Sequence, residues 1–326
     1  MRLQSWSWRR ALPLALACLL AGCGGGHGKA PAPAPAAPAP APAALAPVAA
    51  PAGRLVFSLR DAGGVHLWVA DSDGRHRRQL TRQPGVDFDP HWSPDGRRVL
   101  FRTNRGRYAP DTIRLGTEGI FVINADGSGE RQLYPPAATM PGGLFPDWAP
   151  DGRRVALSTA RGGDETIVVV DLHGRLLRDL HAAGECAAWS PDGRHILYCS
   201  HGPTTGTKLG PWNTWVMRAD GSGQTQVSRG EEDTSPGGWS PDGSLVAFGN
   251  GPAGVRVARP DGGGTRRVPL PVPGSAAGWW PDGRILFSWE EGGEPPTHWG
   301  LVRPDGTGAG SLPVLDGAGE VDFYPA

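Results

Sequence analysis

Short apolar runs alternate with compact turn phrases along most of this chain. The runs Val99–Phe101 and Ile196–Tyr198 each follow a Ser-Pro-Asp-Gly phrase closely. In that phrase Pro presets the first corner of a turn and Gly accepts a left-handed backbone. Apolar residues at successive positions are typical of strands buried on both faces. The pattern therefore predicts β-hairpins, and the high content of Gly (50) and Pro (34) argues against a helical protein.

The turn phrase recurs at the spacing of whole four-stranded units. Trp followed by Ser, Ala or Trp and then Pro-Asp-Gly occurs five times, at Trp92, Trp148, Trp189, Trp239 and Trp279. Between these copies lies a second phrase, an apolar run ending in a turn, which occurs six times, at Gly74, Gly127, Gly174, Gly221, Gly262 and Gly306. Two hairpins per unit give four strands, which is typical of a propeller blade.

The two ends of the repeat region predict the number of blades. The segment that starts at Arg54 corresponds to the second strand of a blade, and the last residues, 321–326, match the sequence that starts at Val86. On this alignment Asp322 corresponds to Asp87, and the C-terminal strand completes the blade that the N-terminus begins. The predicted fold is all-β, a closed six-bladed β-propeller with four-stranded blades over residues 54–326.

The repeated phrase resembles the Pro-Asp repeat of the TolB-like (WD40-like) β-propeller lipoproteins. The resemblance covers Arg54–Ala326, essentially the whole repeat region. It implies a scaffold of the bacterial envelope, and the same repeat also serves peptidase propellers and some lyases. TolB carries an α/β domain ahead of its propeller, whereas an Ala/Pro-rich segment occupies that place here.

The N-terminal residues predict export and lipid anchoring. Arg2, Arg9 and Arg10 precede the apolar run Ala11–Leu20, which is short for a membrane span. The following Ala-Gly-Cys, ending at Cys23, resembles the bacterial lipobox, so residues 1–22 are predicted to be a lipoprotein signal peptide and Cys23 the lipidated residue. The alternative is an ordinary signal peptide with an incidental Cys. Residues 23–53 are predicted to form an extended tether, and the expected location is the periplasmic side of the envelope, on either membrane.

The charge balance excludes one class of partner. Lys and Arg together number 32, as do Asp and Glu, and no basic stripe interleaved with aromatic residues interrupts that balance. No long-range field therefore favours nucleic acid.

Candidate binding residues are expected on one face of the propeller, where the longer connections lie. The first strands of the blades are predicted to bring an acidic set to the central opening, with Glu231 and Glu232 near it in sequence: Asp87, Asp89, Glu185, Asp233 and Asp322. Such a funnel suits a basic segment of a partner or a cation, and Ca²⁺ is the one cofactor considered. The alternative is that these carboxylates are solvated or cap strand ends.

An aromatic and basic set on the same face is a second candidate for contact with a partner. Its members are Arg105, Arg107, Tyr108, Lys208, Trp212, His298 and Trp299. For Trp212 and Trp299 the alternative is packing within the blades.

Two cysteines flank one Pro-Asp-Gly hairpin in a compartment expected to be oxidising. A two-residue turn at Asp192 and Gly193 pairs Cys186 with Cys199 at a spacing that suits a disulfide. A three-residue turn shifts the register by one and places the two side chains on opposite faces. The sequence leaves both registers open.

Several motifs that would indicate catalysis are incomplete. The Gly-Trp-Ser-Pro-Asp-Gly phrase at Gly238 lacks the spacing of a nucleophile elbow, and the nine His residues show no paired metal-ligand spacing. The function expected is therefore a non-catalytic, monomeric scaffold that binds an envelope protein or peptide. The alternative is a propeller lyase or hydrolase whose active-site residues come from the long loops, which a convergence of His, Arg and carboxylate at the opening would favour.

Overall fold

The computed structural model describes residues 45–61, 63–104, 119–135, 144–161, 164–202, 210–229, 233–249, 254–291 and 294–325. Within these ranges the chain is all-β, and its one helical segment is a short 3-10 turn at Pro313–Leu315. No helix among the described residues is long and apolar enough to cross a membrane. The predicted fold class is therefore confirmed at the level of an all-β protein.

The strands fall into six groups of four, of which the first two are joined into one eight-stranded sheet. The first group consists of β24 (Val321–Pro325), β1 (Gly53–Asp61), β2 (Gly64–Asp71) and β3 (Arg78–Gln79). The second consists of β4 (Gly85–Trp92), β5 (Arg98–Thr103), β6 (Gly119–Asn124) and β7 (Arg131–Tyr134). A short parallel pairing of β2 with β4 joins these two groups.

The other four groups are separate antiparallel sheets. The third contains β8 (Asp147–Trp148), β9 (Arg154–Arg161), β10 (Asp164–Asp171) and β11 (Leu176–Asp179). The fourth contains β12 (Glu185–Trp189), β13 (His195–His201), β14 (Trp212–Arg218) and β15 (Thr225–Gln226). The fifth contains β16 (Pro236–Trp239), β17 (Val246–Phe248), β18 (Arg256–Ala258) and β19 (Arg266–Arg267). The sixth contains β20 (Ser275–Trp279), β21 (Ile285–Glu291), β22 (Glu294–Val302) and β23 (Gly310–Ser311).

The Pro-Asp-Gly phrases form the turns that the sequence predicts. In the second group the N–H of Gly96 donates to the carbonyl of Ser93 at 2.8 Å, and Gly96 has φ 62°. The Asp95 carboxylate accepts hydrogen bonds from the Ser93 hydroxyl and the Arg97 N–H, at 2.6 and 3.1 Å. Asp192 and Asp242 make the same contacts in their own turns. Each Asp therefore fixes its turn locally, which is why the phrase specifies structure so strongly.

Two ends of the groups can be distinguished. The turn face carries the connections between first and second strands and between third and fourth strands. The loop face, at the other end, carries the connections between second and third strands and between successive groups. This division follows from strands that alternate in direction, and it matches the expectation that the short turns share one face.

The apolar core lies between neighbouring groups. Leu100 and Val122 of the second group pack against Trp148, Leu157 and Val168 of the third, and all five side chains are buried. The third and fourth groups meet in the same way. The central strands are thus covered on both faces, as the continuous apolar runs predict.

The last strand pairs with the first, as the chain ends predict. Strand β24 is antiparallel to β1, with Phe323 opposite Leu55. Phe323 also packs against Trp280 of the sixth group, with ring centroids 4.2 Å apart. Leu55, Phe57, Trp280 and Leu286 share one buried cluster, so the first and last groups are in contact.

The alignment of Asp322 with Asp87 is wrong. Asp322 lies opposite Val56, the middle residue of the apolar run in β1, whereas in the second group the residue opposite the middle of the run, Leu100, is His91. Asp322 therefore corresponds to His91. A bulge in β4 between Phe88 and His91 shifts the pairing of β4 with β5. Residues before the bulge are therefore out of step with the corresponding residues of β24, which is why the sequence alignment fails.

The end of the Ala/Pro-rich segment packs on the sixth group. Pro47 forms a parallel bridge with Ser311 of β23, and the Val48 N–H donates to the Ser311 carbonyl at 2.9 Å. Arg284 of the Pro-Asp-Gly turn donates to the Ala49 carbonyl at 2.9 Å. The chain thus reaches β1 along the turn face after extending the edge of the sixth sheet.

Candidate functional site

The central part of the candidate site is formed by residues that directly precede the repeated Trp. His91 and Asp147 precede Trp92 and Trp148, and Asp322 is the equivalent residue of the first group. The Asp322 carboxylate accepts a hydrogen bond from the Trp92 N–H at 2.6 Å. Asp147 accepts one from the Trp189 N–H at 2.7 Å. Each of these carboxylates therefore binds the first strand of the next group along the chain.

His91 lies among several carboxylates. Its Nε2 is 3.3 Å from Asp89 Oδ1, and its Nδ1 is 4.0 Å from Asp147 Oδ1. The charge of Asp322 also acts on His91. The residues Asp89, His91, Arg102, Asp147 and Asp322 are called the central cluster below.

Asp89 occupies the bulge of β4 with φ 54°, a left-handed conformation that is costly for a residue other than Gly. Its Oδ2 lies 3.6 Å from the guanidinium of Arg102, whose side chain is only 3% exposed. That guanidinium also lies over the rings of Phe88 and Phe145, at 4.6 and 4.2 Å. Charge pairing and cation–π contacts together hold Arg102 and turn the Asp89 carboxylate towards the cluster.

The residues of the central cluster change one another's pKa values. Burial acts to lower the pKa of His91, but the hydrogen bond with Asp89 and the charges of Asp89, Asp147 and Asp322 raise it from 6.5 to about 9. Burial raises the pKa of Asp147 to about 6, against the opposing charge of His91. Burial also raises the pKa of Asp322. At neutral pH a charged imidazolium therefore sits among carboxylates.

A fourth carboxylate completes the acidic surroundings. Glu320 accepts a hydrogen bond from the Ser58 hydroxyl at 2.6 Å, and the charges of Asp89 and Arg102 act on it. Burial raises the pKa of Glu320. Its contacts hold it at the loop-face end of β24, close to the central cluster.

The remaining groups carry small residues at the position before the Trp. These are Ala188, Gly238 and Gly278. The indoles of Trp239 and Trp279 donate to the carbonyls of Ala188 and Gly238, each at 3.1 Å, just as Trp148 donates to His91 at 3.2 Å. A Cβ placed on Gly278 would meet no atom within 4 Å. At this position charged side chains therefore come from the first three groups, and the space next to Gly278 is open.

Comparison with known proteins gives this arrangement a context. The chain is 30% identical over 183 residues to a protein TolB homolog of Chlorobium luteolum, covering 56% of this chain and 38% of that protein. It is 28% identical over 260 residues to the Tol-Pal system protein TolB of Gluconobacter oxydans, covering 79% of this chain and 51% of that protein. The crystal structure of TolB from Acinetobacter baumannii superposes with a TM-score of 0.63 at 19% identity, covering 84% of this chain and 67% of that one.

The chain is thus similar to TolB proteins in sequence and to the TolB propeller in fold. The resemblance inferred from the repeated phrase is thereby confirmed. No family profile matches the chain. The chain spans about half or less of the length of these two curated TolB relatives.

In this TolB-like protein the predicted acidic residues occupy different environments. Asp89 and Asp322 belong to the central cluster. Asp87 is fully buried opposite Thr103, and Glu185 is 6% exposed at the start of β12. Asp233 accepts a hydrogen bond from the Trp212 N–H at 2.8 Å and so fixes the backbone at the start of β14. Of the five predicted carboxylates, the central cluster therefore contains Asp89 and Asp322.

The predicted aromatic and basic residues do not form one patch among the described residues. Trp212 packs on His201 in the fourth group, with centroids 4.0 Å apart. His298 lies on β22 of the sixth group, beside Trp289 and 3.2 Å from Asp316. Trp299 is buried and donates to the Ala318 carbonyl, which is blade packing. Four predicted contact residues, the lipidation residue Cys23 and two nearby acidic residues lie outside the described residues: Arg105, Arg107, Tyr108, Lys208, Cys23, Glu231 and Glu232.

Sequence reasoning missed His91, Arg102, Asp147 and Glu320. One signal was available for two of them, since the residue before the repeated Trp is charged only at His91 and Asp147. In the part of the chain that the structure describes, no group of three or more His, Cys, Asp or Glu side chains is placed to hold a metal ion. Calcium binding stays a prediction.

The two hairpin cysteines are free thiols next to each other. Near the turn Ala188 lies opposite Leu197, the register of a two-residue turn, but a bulge then places Glu185 opposite Cys199. Cys186 sits in that bulge with φ 60°. Burial raises the pKa of Cys186, and a hydrogen bond with the Cys199 thiol raises it further. The two sulfur atoms are thus within reach of each other although the residues are not directly paired.

The N-terminal pattern predicts export to an oxidising compartment, and the two thiols are close enough for Cys199 to raise the pKa of Cys186, so we expect a Cys186–Cys199 disulfide in the exported chain. Alkylation without reductant should leave both residues unmodified, and alkylation after reduction should add two groups to the intact mass. Reduction should lower the free energy of unfolding by about 2 kcal/mol. A Cys186→Ser, Cys199→Ser variant is the control and should not respond to reductant. Two alkylated residues in the unreduced protein would contradict the prediction.

Proposed function

We propose that this chain is a lipid-anchored periplasmic scaffold, a six-bladed propeller that binds a basic segment of an envelope protein at its acidic central opening. The observation that carries the proposal is the central cluster. Its carboxylates, together with Glu320, outnumber the two cations His91 and Arg102 beside an open space. The proposed role is binding rather than catalysis.

Several observations support six blades. Five of the six groups of four strands carry both turns. The first group carries only the second turn, at Gly74, and β24 from the chain end supplies its first strand. The contact between Trp280 and Phe323 joins the sixth group to the first. A closed ring also leaves no strand edge free between first and last blades.

The proposed location rests on the N-terminal pattern and on the relatives. The run before Cys23 has the form of a lipoprotein signal, and the Gluconobacter oxydans relative is named as a Tol-Pal system protein. An envelope scaffold that meets protein partners is consistent with both.

The chemistry of the opening favours a cationic partner. Asp147 and Asp322 are held in place by backbone N–H groups, so their charges are fixed before a partner arrives. Low-dielectric walls around such fixed charges strengthen their field in the opening. Lys and Arg side chains of a partner would be steered there, and binding should weaken as salt screens the field.

The test is binding of a labelled lysine-rich peptide, with a glutamate-rich peptide of equal length as the negative probe. The double variant Asp147→Asn, Asp322→Asn keeps an oxygen that can accept each backbone hydrogen bond but removes two charges. We expect it to bind the basic peptide at least about ten-fold more weakly. The matched control is Asp73→Asn, Asp261→Asn on the turn face, which makes the same charge change and should bind normally. Equal binding by all three proteins, or none by the wild type, would overturn the proposal.

Crosslinking in intact cells, followed by purification through the propeller, should then recover a consistent protein partner. Loss of that partner in the double variant, but not in the control, would link it to the opening. Recovery of no protein would favour a small ligand over a protein partner.

One observation supports an enzyme as the second candidate. His91, Arg102 and several carboxylates converge at the opening, as an active site built on the loop face requires. The excess of carboxylates would repel a polyuronate substrate, which makes a lyase of acidic polysaccharides the less favoured form. Release of reducing ends or unsaturated products from neutral or basic polymers, abolished by His91→Gln, would favour the enzyme over the scaffold.

A further inference from the structure

We propose that the propeller lies with its turn face against an anionic lipid surface and its loop face pointing away from it. The proposal rests on the lipid anchor at Cys23 given above. Its ligand is the layer of phosphate headgroups of a bilayer that contains anionic lipid.

A row of exposed arginines lies on successive Pro-Asp-Gly turns. Arg97, Arg153 and Arg194 occupy the same position in the turns of the second, third and fourth groups, and all three are exposed. The carboxylate of each turn accepts the N–H of the same arginine residue, so it faces its own backbone. Asp95, Asp151 and Asp192 are exposed as well, but with Arg98 and Arg154 the three turns carry five arginines against three aspartates, so the row is basic overall.

The turns that carry these arginines touch one another. A Cβ on Gly152 would lie 3.9 Å from Pro94, and one on Gly193 would lie 3.8 Å from Pro150. A shallow cleft of about 390 Å³ between the first two turns is lined by Arg98 and Arg153 together with Asp95 and Asp151. The arginines therefore form a continuous basic row rather than scattered surface charges.

The loop face has the opposite character. Carboxylates gather there at the central cluster and Glu320, and Glu185, Asp233 and Asp316 lie in the adjoining connections. Loss of the predicted signal peptide removes Arg2, Arg9 and Arg10, so the lipidated chain is slightly negative overall, and the separation of its arginine row from its acidic opening gives it a dipole. Near an anionic surface the basic row is attracted and the acidic opening is repelled, and both effects favour the same orientation.

The path of the chain agrees with this orientation. Residues 45–50 run from the edge of β23 across the turn face to β1, held by Ser311 and Arg284. A cleft of about 700 Å³ lies beneath Val48 and Ala49, between the two turns of the sixth group. The segment that leads to Cys23 therefore leaves the propeller from the basic face.

The orientation is tested on the full lipidated chain in vesicles of phosphatidylcholine, with and without phosphatidylglycerol, by backbone amide hydrogen exchange. We expect amides of the turns at 93–98, 150–154 and 191–195 to exchange at least about three-fold more slowly on the anionic vesicles. Amides at 85–89 and 185–189 on the loop face should exchange equally on both. High salt should remove the difference.

The variant Arg97→Glu, Arg153→Glu, Arg194→Glu should lose this protection. The matched control is Arg60→Glu, Arg82→Glu, Arg229→Glu, which reverses three exposed charges on the loop face and should keep it. Retention on both vesicle types without protection of the turns would overturn the orientation and leave the anchor intact. Failure to be retained on either vesicle type would overturn the anchor, and the orientation with it.

Discussion

Removal of residues 319–326, which contain β24, should abolish cooperative unfolding of the whole molecule. The deletion leaves β1 with an unpaired edge and uncovers Trp280, whose ring packs on Phe323. The deletion also removes Asp322, which accepts a hydrogen bond from the Trp92 N–H, and Glu320, which accepts one from the Ser58 hydroxyl. These losses together should lower the free energy of unfolding by about 5 kcal/mol or more, which is comparable to the whole stability of many domains.

The measurement is urea unfolding followed by Trp fluorescence, together with size-exclusion chromatography. A chain that lacks Ala326 alone is the control and should unfold like the wild type. The deletion variant should also self-associate, because an exposed strand edge recruits other chains. Phe323→Ala should give a smaller loss, about 2 kcal/mol, in a protein that stays monomeric. An unchanged midpoint and slope in the deletion variant would show that the contact between the first and last groups contributes little.

The sequence predicts the elements and their connections well because the determining interactions are local. Asp95 and Gly96 build their turn with partners no more than three residues away, and the same phrase recurs in the other four groups that carry it. The pairing of β24 with β1 was predictable for a different reason. The repeat region begins with the second strand of a four-stranded group. The first strand of that group must therefore come from elsewhere in the chain, and the C-terminal residues match its sequence.

The candidate site was predicted less well because its members come from different groups. His91, Asp147 and Asp322 belong to three groups and meet only when these pack around the opening. The register of β4 depends on Asp89 adopting φ 54°. Asp adopts this conformation only occasionally, so the local sequence does not single out Asp89 as the site of the bulge. The alignment of Asp322 failed for that reason.

The Ala/Pro-rich segment illustrates a third limit. Its composition predicts an extended tether, and at its end residues 46–48 form a parallel bridge and backbone hydrogen bonds with Ser311 of β23. Composition does not reveal which strand the segment pairs with, because an edge strand hydrogen-bonds to backbone groups and depends little on the side chains of the segment. Because the pairing uses backbone groups, a strand from another protein would be able to compete for the edge of β23.

The second large effect concerns His91 and the dependence of stability on pH. The pKa of His91 in the folded protein, about 9, lies above its value of 6.5 in the unfolded chain, because Asp89, Asp147 and Asp322 favour the charged imidazole. Its stabilising contribution is therefore complete below pH 6.5 and is lost as the pH rises through 9. We expect the wild-type protein to lose on the order of 2–3 kcal/mol, and about 5 °C in melting temperature, between pH 6.5 and 10.

His91→Gln should remove this alkaline loss and lower stability at pH 7, since Asp147 and Asp322 then remain without the imidazolium. The pKa of Asp147, already raised to about 6 by burial, should rise further without the opposing charge of His91. A carboxyl with a raised pKa binds its proton more tightly in the folded state, so the variant should become more stable as the pH falls from 7 towards 4. Melting curves across this range, with His173→Gln as an exposed control, check both signs. Parallel pH profiles for the wild type and His91→Gln would show that the charge of His91 does not stabilise the protein through the carboxylates of the opening.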